Sequence, residues 1–392
     1  MTSIPQEMQN NSSIPKNFTA SYVISDCEAG LQAAVLILIL IVASVGNGFV
    51  GFCVFTHQNL QVPTNYFLVS LATADFLFAI LALPFRIYDV LEKYKWELGL
   101  AACRFWVWLD LLFCSASIAS LAAISVDRYL KISSPLTYNS RMTRNRVRFT
   151  LALLWMYSAI LASLLLVEWS PDPADIARGT IVENGVCRSN DKIFLTIISV
   201  LGFFAPLTIM LLMYFFVFKV AVIQATRVAR QQQSLRGLSK KSRKRRTKSS
   251  IALLEVKATK TLIILLSVFC ICWCPYFIIS LISLYRIELI YQLPGWFTKT
   301  LRILFVNFLP NVNAALDPIV YTTNNHQFRT VIRRMVRKQR ERARGIVSSV
   351  YSEGLYTMSE SRGRRSSSLR TKSTSAVKNS LTPLPLLNPN HR

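Results

Sequence analysis

An all-α membrane protein, built as a seven-transmembrane helix bundle with a short amphipathic helix after the seventh span, is the fold class that this sequence predicts. Three observations predict it. The chain has 392 residues, 52% of them hydrophobic, and a mean hydropathy of +0.36, whereas a soluble chain of this length needs more polar surface to cover its core. Seven apolar stretches each hold the roughly 20 residues that cross a hydrocarbon layer at 1.5 Å per residue. Several of those stretches also carry charges that a helix serving only as an anchor would exclude.

Residues 1–30 form a polar tail with a single cation, Lys16, and with Asn-x-Ser/Thr sequons beginning at Asn10, Asn11 and Asn17, which makes these three asparagines candidate glycosylation sites. The transmembrane domain covers 31–322, with spans at 31–56, 66–91, 101–131, 147–168, 191–219, 258–286 and 300–322. Cations collect in the loop after span three (Lys131, Arg141, Arg144, Arg146) and in the run 240–248 after span five. Cationic loops resist translocation, so an odd number of crossings predicts an extracellular N-terminus and a multi-pass protein of the plasma membrane. The first 30 residues lack an apolar signal-peptide core, so span one is expected to direct insertion itself. Over 323–338, Phe328, Val331, Ile332, Met335 and Val336 recur at helical spacing opposite Arg329, Arg333, Arg334 and Arg337; this predicts a helix lying on the inner leaflet. Residues 339–392 are rich in Ser, Arg and Lys and are expected to be a disordered cytoplasmic tail. Within it, Arg364-Arg365-Ser366-Ser367-Ser368 resembles a target of basophilic kinases.

A net charge of +25 invites a nucleic-acid reading, but its placement argues for membrane lipids instead. The excess lies on loops facing the cytoplasm, where anionic headgroups attract each cation by about 1 kcal/mol. Of eight cysteines, Cys53, Cys114, Cys270, Cys272 and Cys274 fall inside spans and read as small apolar fillers. Cys103 begins span three and Cys187 lies between spans four and five, so an oxidising exterior favours a bridge between them. Cys27 has no evident partner, and no cysteine after position 274 is present to anchor the tail by acylation.

The chemistry is concentrated in span three. Asp110 lies seven residues inward from Cys103, about 10 Å below the rim, where a carboxylate must face the bundle interior and find a partner. At 100° per residue, Ser117 sits about 20° from Asp110 and Arg128 has completed whole turns to face the same way. A ligand ammonium is the partner most suited to Asp110; an internal bond to Asn307 or Asn311 is the alternative. Trp273, Tyr276 and Phe277 of span six and Phe203 of span five lie at the depth to surround such a cation, or else they are ordinary core. Cys114, Asn307 and Asn311 complete the candidate ligand-binding set with Ser199, the single hydroxyl among Ile198, Ser199 and Gly202 of span five.

Pro84, Pro206, Pro275 and Pro318 fall inside spans, where the missing N–H and ring clash produce kinks that can serve as hinges. Asp75 is mid-span, and Asn47, Ser117, Asn313 and Asp317 are placed to gather round it. Two carboxylates in one wet cavity do not both ionise cheaply, so one is expected to be protonated or a sodium ion to sit between them. At the inner end, Asp127 and Tyr129 flank Arg128, and Glu255 begins span six at similar depth. An Arg128 to Glu255 pair, worth about 1 kcal/mol when partly solvated, would break when span six swings outward about Pro275.

These residues carry a resemblance. Gly46-Asn47, Leu71 through Asp75, Asp127-Arg128-Tyr129, Trp155, Pro206, Cys272-Trp273-Cys274-Pro275 and Asp317-Pro318-Ile319-Val320-Tyr321 stand in the order and spacing of the rhodopsin-like (class A) G-protein-coupled receptors. The stretch from Asp110 to Tyr129 and Glu255 through Leu262 resemble the biogenic-amine branch. The resemblance implies a small cationic ligand, activation of a heterotrimeric G protein, a sodium site at Asp75, Ser117, Asn313 and Asp317, and Tyr214 and Tyr321 restacking against Arg128 on activation. Arrestin and receptor kinases are the further partners it implies, and no organic cofactor. The chain departs from the branch at Phe308 and Asn311, where a Trp and a Tyr usually cage the ammonium, and at Asp317, where Asn is commoner. A class A receptor with a non-amine ligand or constitutive activity is therefore the second reading.

Other classes fit poorly. A transporter would show internal repeats and broken helices meeting at the midplane, and a channel would show a selectivity ring. His57, His326 and His391 are not paired with a nucleophile, and no glycine-rich phosphate loop is present, so an enzyme is not indicated. Lys299 lies at the outer end of span seven, which leaves no buried lysine there for a retinal Schiff base.

Overall fold

The computed structural model of the chain describes residues 24–167, 180–183, 186–189, 191–234, 243–324 and 327–345. Among them, seven helices have the length and apolarity of membrane spans: Asp26–Thr56, Pro63–Leu91, Gly99–Ser133, Arg144–Leu166, Lys192–Val220, Ile263–Tyr285 and Gly295–Thr323. The fifth helix continues to Ser234, and the sixth begins at Arg243.

The helices start where capping chemistry starts them. Ser25 accepts a hydrogen bond from the Glu28 amide at 3.2 Å, with Asp26 and Glu28 in the first turn, where acidic groups complement the helix dipole. Pro63 opens the second span, where its missing N–H costs nothing. Thr143 and Asp191 cap the fourth and fifth, the Asp191 carboxylate accepting from the Phe194 amide at 2.9 Å.

Burial runs opposite to that of a soluble protein. The first span turns Leu31, Leu38, Val45 and Phe52 outward, while Ala29, Ala33, Leu36, Ala43, Asn47 and Val50 are buried. Asn47, Asp75, Ser117, Ser120, Asp127, Asn313 and Asp317 are all buried inside the bundle, as expected where the surroundings are hydrocarbon and the interior is the polar phase. Trp155 Nε1 donates to Ser70 Oγ at 3.1 Å, and Ser70 and Ser120 hydroxyls meet at 3.0 Å, which ties spans two, three and four.

Two features correct the expected elements. The proline kinks differ among themselves. Spans two, five and seven contain π-helical turns at Phe78–Ala82, Ile198–Phe204 and Arg302–Phe308. Each ends two residues before a proline, Pro84, Pro206 and Pro310. A proline ring clashes with the carbonyl four residues back, and here that carbonyl (Ile80, Gly202 or Val306) belongs to the widened turn. Pro275 and Pro318, by contrast, lie inside continuous α-helix. The connection between spans four and five is also not plain loop: β1 (Thr180–Glu183) and β2 (Val186–Ser189) pair antiparallel, with Val182 opposite Cys187.

Spans one and seven touch most closely at Gly46, where an added Cβ would lie 2.6 Å from Pro318 Cγ. The proline ring cannot swing away, so Gly46→Ala is expected to lower the unfolding free energy by about 1–3 kcal/mol. A thermal-unfolding midpoint equal to that of the parent would show that the seam can open.

Among the described residues, those up to Arg329 form one compact unit and those from Thr330 a second. The second holds most of the helix 327–345, in which Val331 is buried, Arg333 and Arg334 are exposed, and Arg337 Nε reaches Glu341 Oε1 at 3.0 Å. Val336, expected on the apolar face, is exposed; at 100° per residue it stands about 140° from Val331, on the arginine side.

Candidate functional site

At the end of the bundle that carries the disulfide, spans two, three, five, six and seven surround a cavity. Asp110, Cys114, Ser199, Trp273, Tyr276, Phe277 and Asn311 line it. Phe203 and Asn307 do not, which corrects the expected set. Phe203 is fully buried behind Phe277, the rings stacked at 4.2 Å and 15°. Asn307 is turned away and donates to the Tyr94 hydroxyl, while Asn311 Nδ2 donates to the Asn307 carbonyl. Trp273 meets Tyr276 edge-on at 5.9 Å and Phe277 at 5.9 Å, so the aromatic wall is one packed unit with Phe203 as its backing.

Asp110 makes no hydrogen bond among the described residues, and the alternative bond to Asn307 or Asn311 is not formed. Its charged neighbour is Arg86 of span two, a cavity-lining residue that the sequence reading missed. An ideal helix would put Arg86, eleven residues from Asp75, about 20° away, but the π turn Phe78–Ala82 lies between the two and adds a residue, so the phase of the sequence does not by itself assign Arg86 to the inward face. The Arg86 guanidinium carbon lies 4.8 Å from the centre of the Trp106 ring, a cation–π arrangement, and Nε is buried without a hydrogen-bond partner. Ser115 and Ser280 also reach the cavity, so its hydroxyls are not limited to Ser199, whose Oγ donates to the Leu195 carbonyl at 2.7 Å.

The mouth is held by the Cys103–Cys187 disulfide, which joins β2 to the start of span three with the Cα atoms 5.7 Å apart. Trp96 stacks on Trp106 at 5.1 Å and 9°, and its Nε1 donates to the Gly99 carbonyl at 2.8 Å. Lys93 and Tyr94 have φ of 56° and 62°, a left-handed pair that turns the chain and sends the Tyr94 hydroxyl to donate to Gln32 Oε1 at 3.0 Å.

Midway along the bundle, Asp75, Asp317 and Ser117 are neighbours. Asn313 Nδ2 donates to Asp317 Oδ2 at 3.5 Å, and Asn47 Nδ2 donates to the Ala43 and Ala314 carbonyls at 3.0 and 2.9 Å. Asp75 Oδ2, Asp317 Oδ1, Asn313 Oδ1 and Asn47 Oδ1 are buried without hydrogen-bond partners. Unpartnered oxygens on Asp75, Asp317 and Asn313 are the donor type that a hard cation takes, so the residues fit sodium.

At the opposite end, Asp127 is fully buried and accepts from Thr64 Oγ1 and from the Tyr138 hydroxyl, both at 2.7 Å. Tyr138 belongs to the short helix Pro135–Arg141 that follows span three. Burial, and then the adjacent Asp127 carboxylate, push its phenol well above the ordinary tyrosine value. Arg128 Nε is buried and lacks a hydrogen-bond partner among the described residues. The Glu255 side chain lies outside the described residues, and so therefore does the expected Arg128–Glu255 pair. Tyr214 reaches the Ser125 hydroxyl near Arg128, and the buried Tyr321 hydroxyl has Tyr214 and Arg128 among its neighbours. Tyr129 rests on Phe216 with ring centres 5.8 Å apart. Asn10, Asn11, Asn17 and the tail serines also lie outside the described residues; Cys27 is an exposed free thiol.

The chain matches the family model for the 7 transmembrane receptor (rhodopsin family) over residues 46–321. It is 31% identical over 330 residues to the alpha-1A adrenergic receptor of Oryzias latipes, covering 77% of this chain and 66% of that receptor. To the D(4) dopamine receptor of Mustela putorius furo it is 30% identical over 337 residues, covering 76% and 89%. The probable G-protein coupled receptor No18 of Amphibalanus amphitrite is 30% identical over 363 residues, covering 80% and 91%.

Proposed function

We propose, from the premise that this chain belongs to the rhodopsin family of seven-transmembrane, G-protein-coupled receptors, that its cavity binds a small amine-like ligand and that binding activates a heterotrimeric G protein. It is a receptor and not an enzyme, and its similar relatives are adrenergic and dopamine receptors. The observation that carries the ligand reading is the Asp110 carboxylate, open to an aromatic-walled cavity with no hydrogen bond from the described protein. A ligand ammonium would supply the missing donors and a desolvated opposite charge.

The rest of the reading follows from the same geometry. Trp273 stands on the cavity wall two residues before Pro275, so a ligand pressing on the aromatic unit acts directly above the point about which span six would swing. Outward movement at the other end would open the space beside Arg128, Tyr214 and Tyr321 to the G protein, and such an equilibrium needs only a few kcal/mol of differential affinity. Asp75, Ser117, Asn313 and Asp317 are the residues that would hold sodium, whose charge would let both carboxylates stay ionised. The N-terminus faces outward across the plasma membrane in this reading, which puts Cys103 and Cys187 on the oxidising side. Arrestin and receptor kinases are the partners assigned to the tail.

Asp110→Asn keeps the volume and removes the charge. In cells expressing the full chain, with cyclic nucleotide and calcium read together, it is expected to move the response to any activating protonated amine by about 100-fold or more in concentration at unchanged surface expression. An unaltered dose-response would sink the amine reading.

A further inference from the structure

Asp110 is not the only charge on the cavity wall. Arg86 lines the same space from span two, yet no ion pair within 4.0 Å joins it to Asp110 or to any other described carboxylate. Its Nε is buried without a partner, and its flat face is taken by Trp106. The guanidinium is thus oriented by a ring, not neutralised by a contact, and Arg offers a planar fork of donors suited to a carboxylate or phosphate.

The neighbouring charges decide what can enter. Asp89, on the same helix and 7% exposed, faces Arg86 and Arg302 of span seven, and Arg86 also faces Asp110. Among the described residues, the two carboxylates and two guanidiniums of this cluster balance before any ligand arrives. A bare amine at Asp110 would leave this poorly solvated group with an excess positive charge beside Arg86, whereas a molecule carrying both signs would keep it neutral and give each wall charge a partner. We propose that the cavity is built for a zwitterion, its ammonium on Asp110 and its acidic group on Arg86, with an apolar or aromatic body against Trp273, Tyr276 and Phe277. This rests on the amine reading of Asp110 and adds to it the second pole of the ligand.

The test uses the full chain in lipid nanodiscs and the shift of its thermal-unfolding midpoint. The probes are the protein amino acids, each beside its amide, which keeps the ammonium and loses the acid, and beside its N-acetyl form, which does the reverse. At least one amino acid is expected to shift the midpoint at a concentration about tenfold lower than its amide. Arg86→Gln should erase that difference and leave the amide's effect in place, Arg86→Lys should restore part of it, and Asp110→Asn should remove both. The midpoint of each variant without probe shows that it is folded. If amides act as well as their parent acids and Arg86→Gln changes nothing while Asp110→Asn still abolishes binding, the zwitterion proposal is overturned and the amine reading stands. If N-acetyl forms bind and Asp110→Asn has no effect, both are overturned. No shift from any parent amino acid at millimolar concentration also overturns the proposal.

Discussion

Replacing Cys103 with Ser is expected to lower the unfolding free energy by about 4.5 kcal/mol, because the bridge to Cys187 closes a loop across a sequence separation of 84. That value is an upper one: the loop contains spans three and four, which remain largely helical in a membrane-bound unfolded state and so have less entropy to lose. The same bridge joins β2 to the end of span three that carries Asp110, so ligand retention should fall together with stability. The double variant Cys103→Ser, Cys187→Ser should match either single one, since each removes the same bond. Midpoints that add across the two positions would mean that the thiols act separately, and an unchanged midpoint would mean that the hairpin is held by its other contacts.

Asp127→Ala should cost about 1–3 kcal/mol: the Thr64 and Tyr138 hydroxyls also meet each other at 3.2 Å, so one can still donate to the other and a single buried hydroxyl loses its acceptor. Thr64 and Tyr138 are 5% and 7% exposed, so water cannot readily replace the carboxylate. Asp127→Asn retains one acceptor oxygen and should be milder; Tyr138→Phe removes a donor without stranding one and should be milder still. An order of midpoints in which phenylalanine at 138 is worse than alanine at 127 would show that the helix Pro135–Arg141 matters more than the carboxylate it covers.

The seven spans were legible because apolar length is a one-dimensional property, and their ends were legible as far as Ser25, Pro63, Thr143 and Asp191 announce them. Direction around a helix was legible too, which is why the residues lining the cavity include Asp110, Trp273, Tyr276 and Phe277. Depth behind that lining was not. A wheel places Phe203 and Asn307 on the inner side, but only packing decides that Phe277 stands in front of one and Tyr94 takes the other. The π turns add a residue to spans two, five and seven and put the positions above them out of the 3.6-residue phase, so the upper halves of those helices are the hardest to project. Arg86 lies above the π turn of span two and so belongs to those positions, whereas the hairpin had its own signal in Asn184-Gly185 after the β-branched Thr180-Ile181-Val182. Whether Arg86 would touch a carboxylate was beyond reach, because it depends on the ring of Trp106.

Where Gly46 lies against Pro318 and Asn47 bridges to the Ala314 carbonyl, helices one and seven have no slack for a methyl group, let alone for sliding. If the proposed activation holds, travel at this seam is expected to be taken up elsewhere, with the pair as the stator against which the moving part of the machine is referenced.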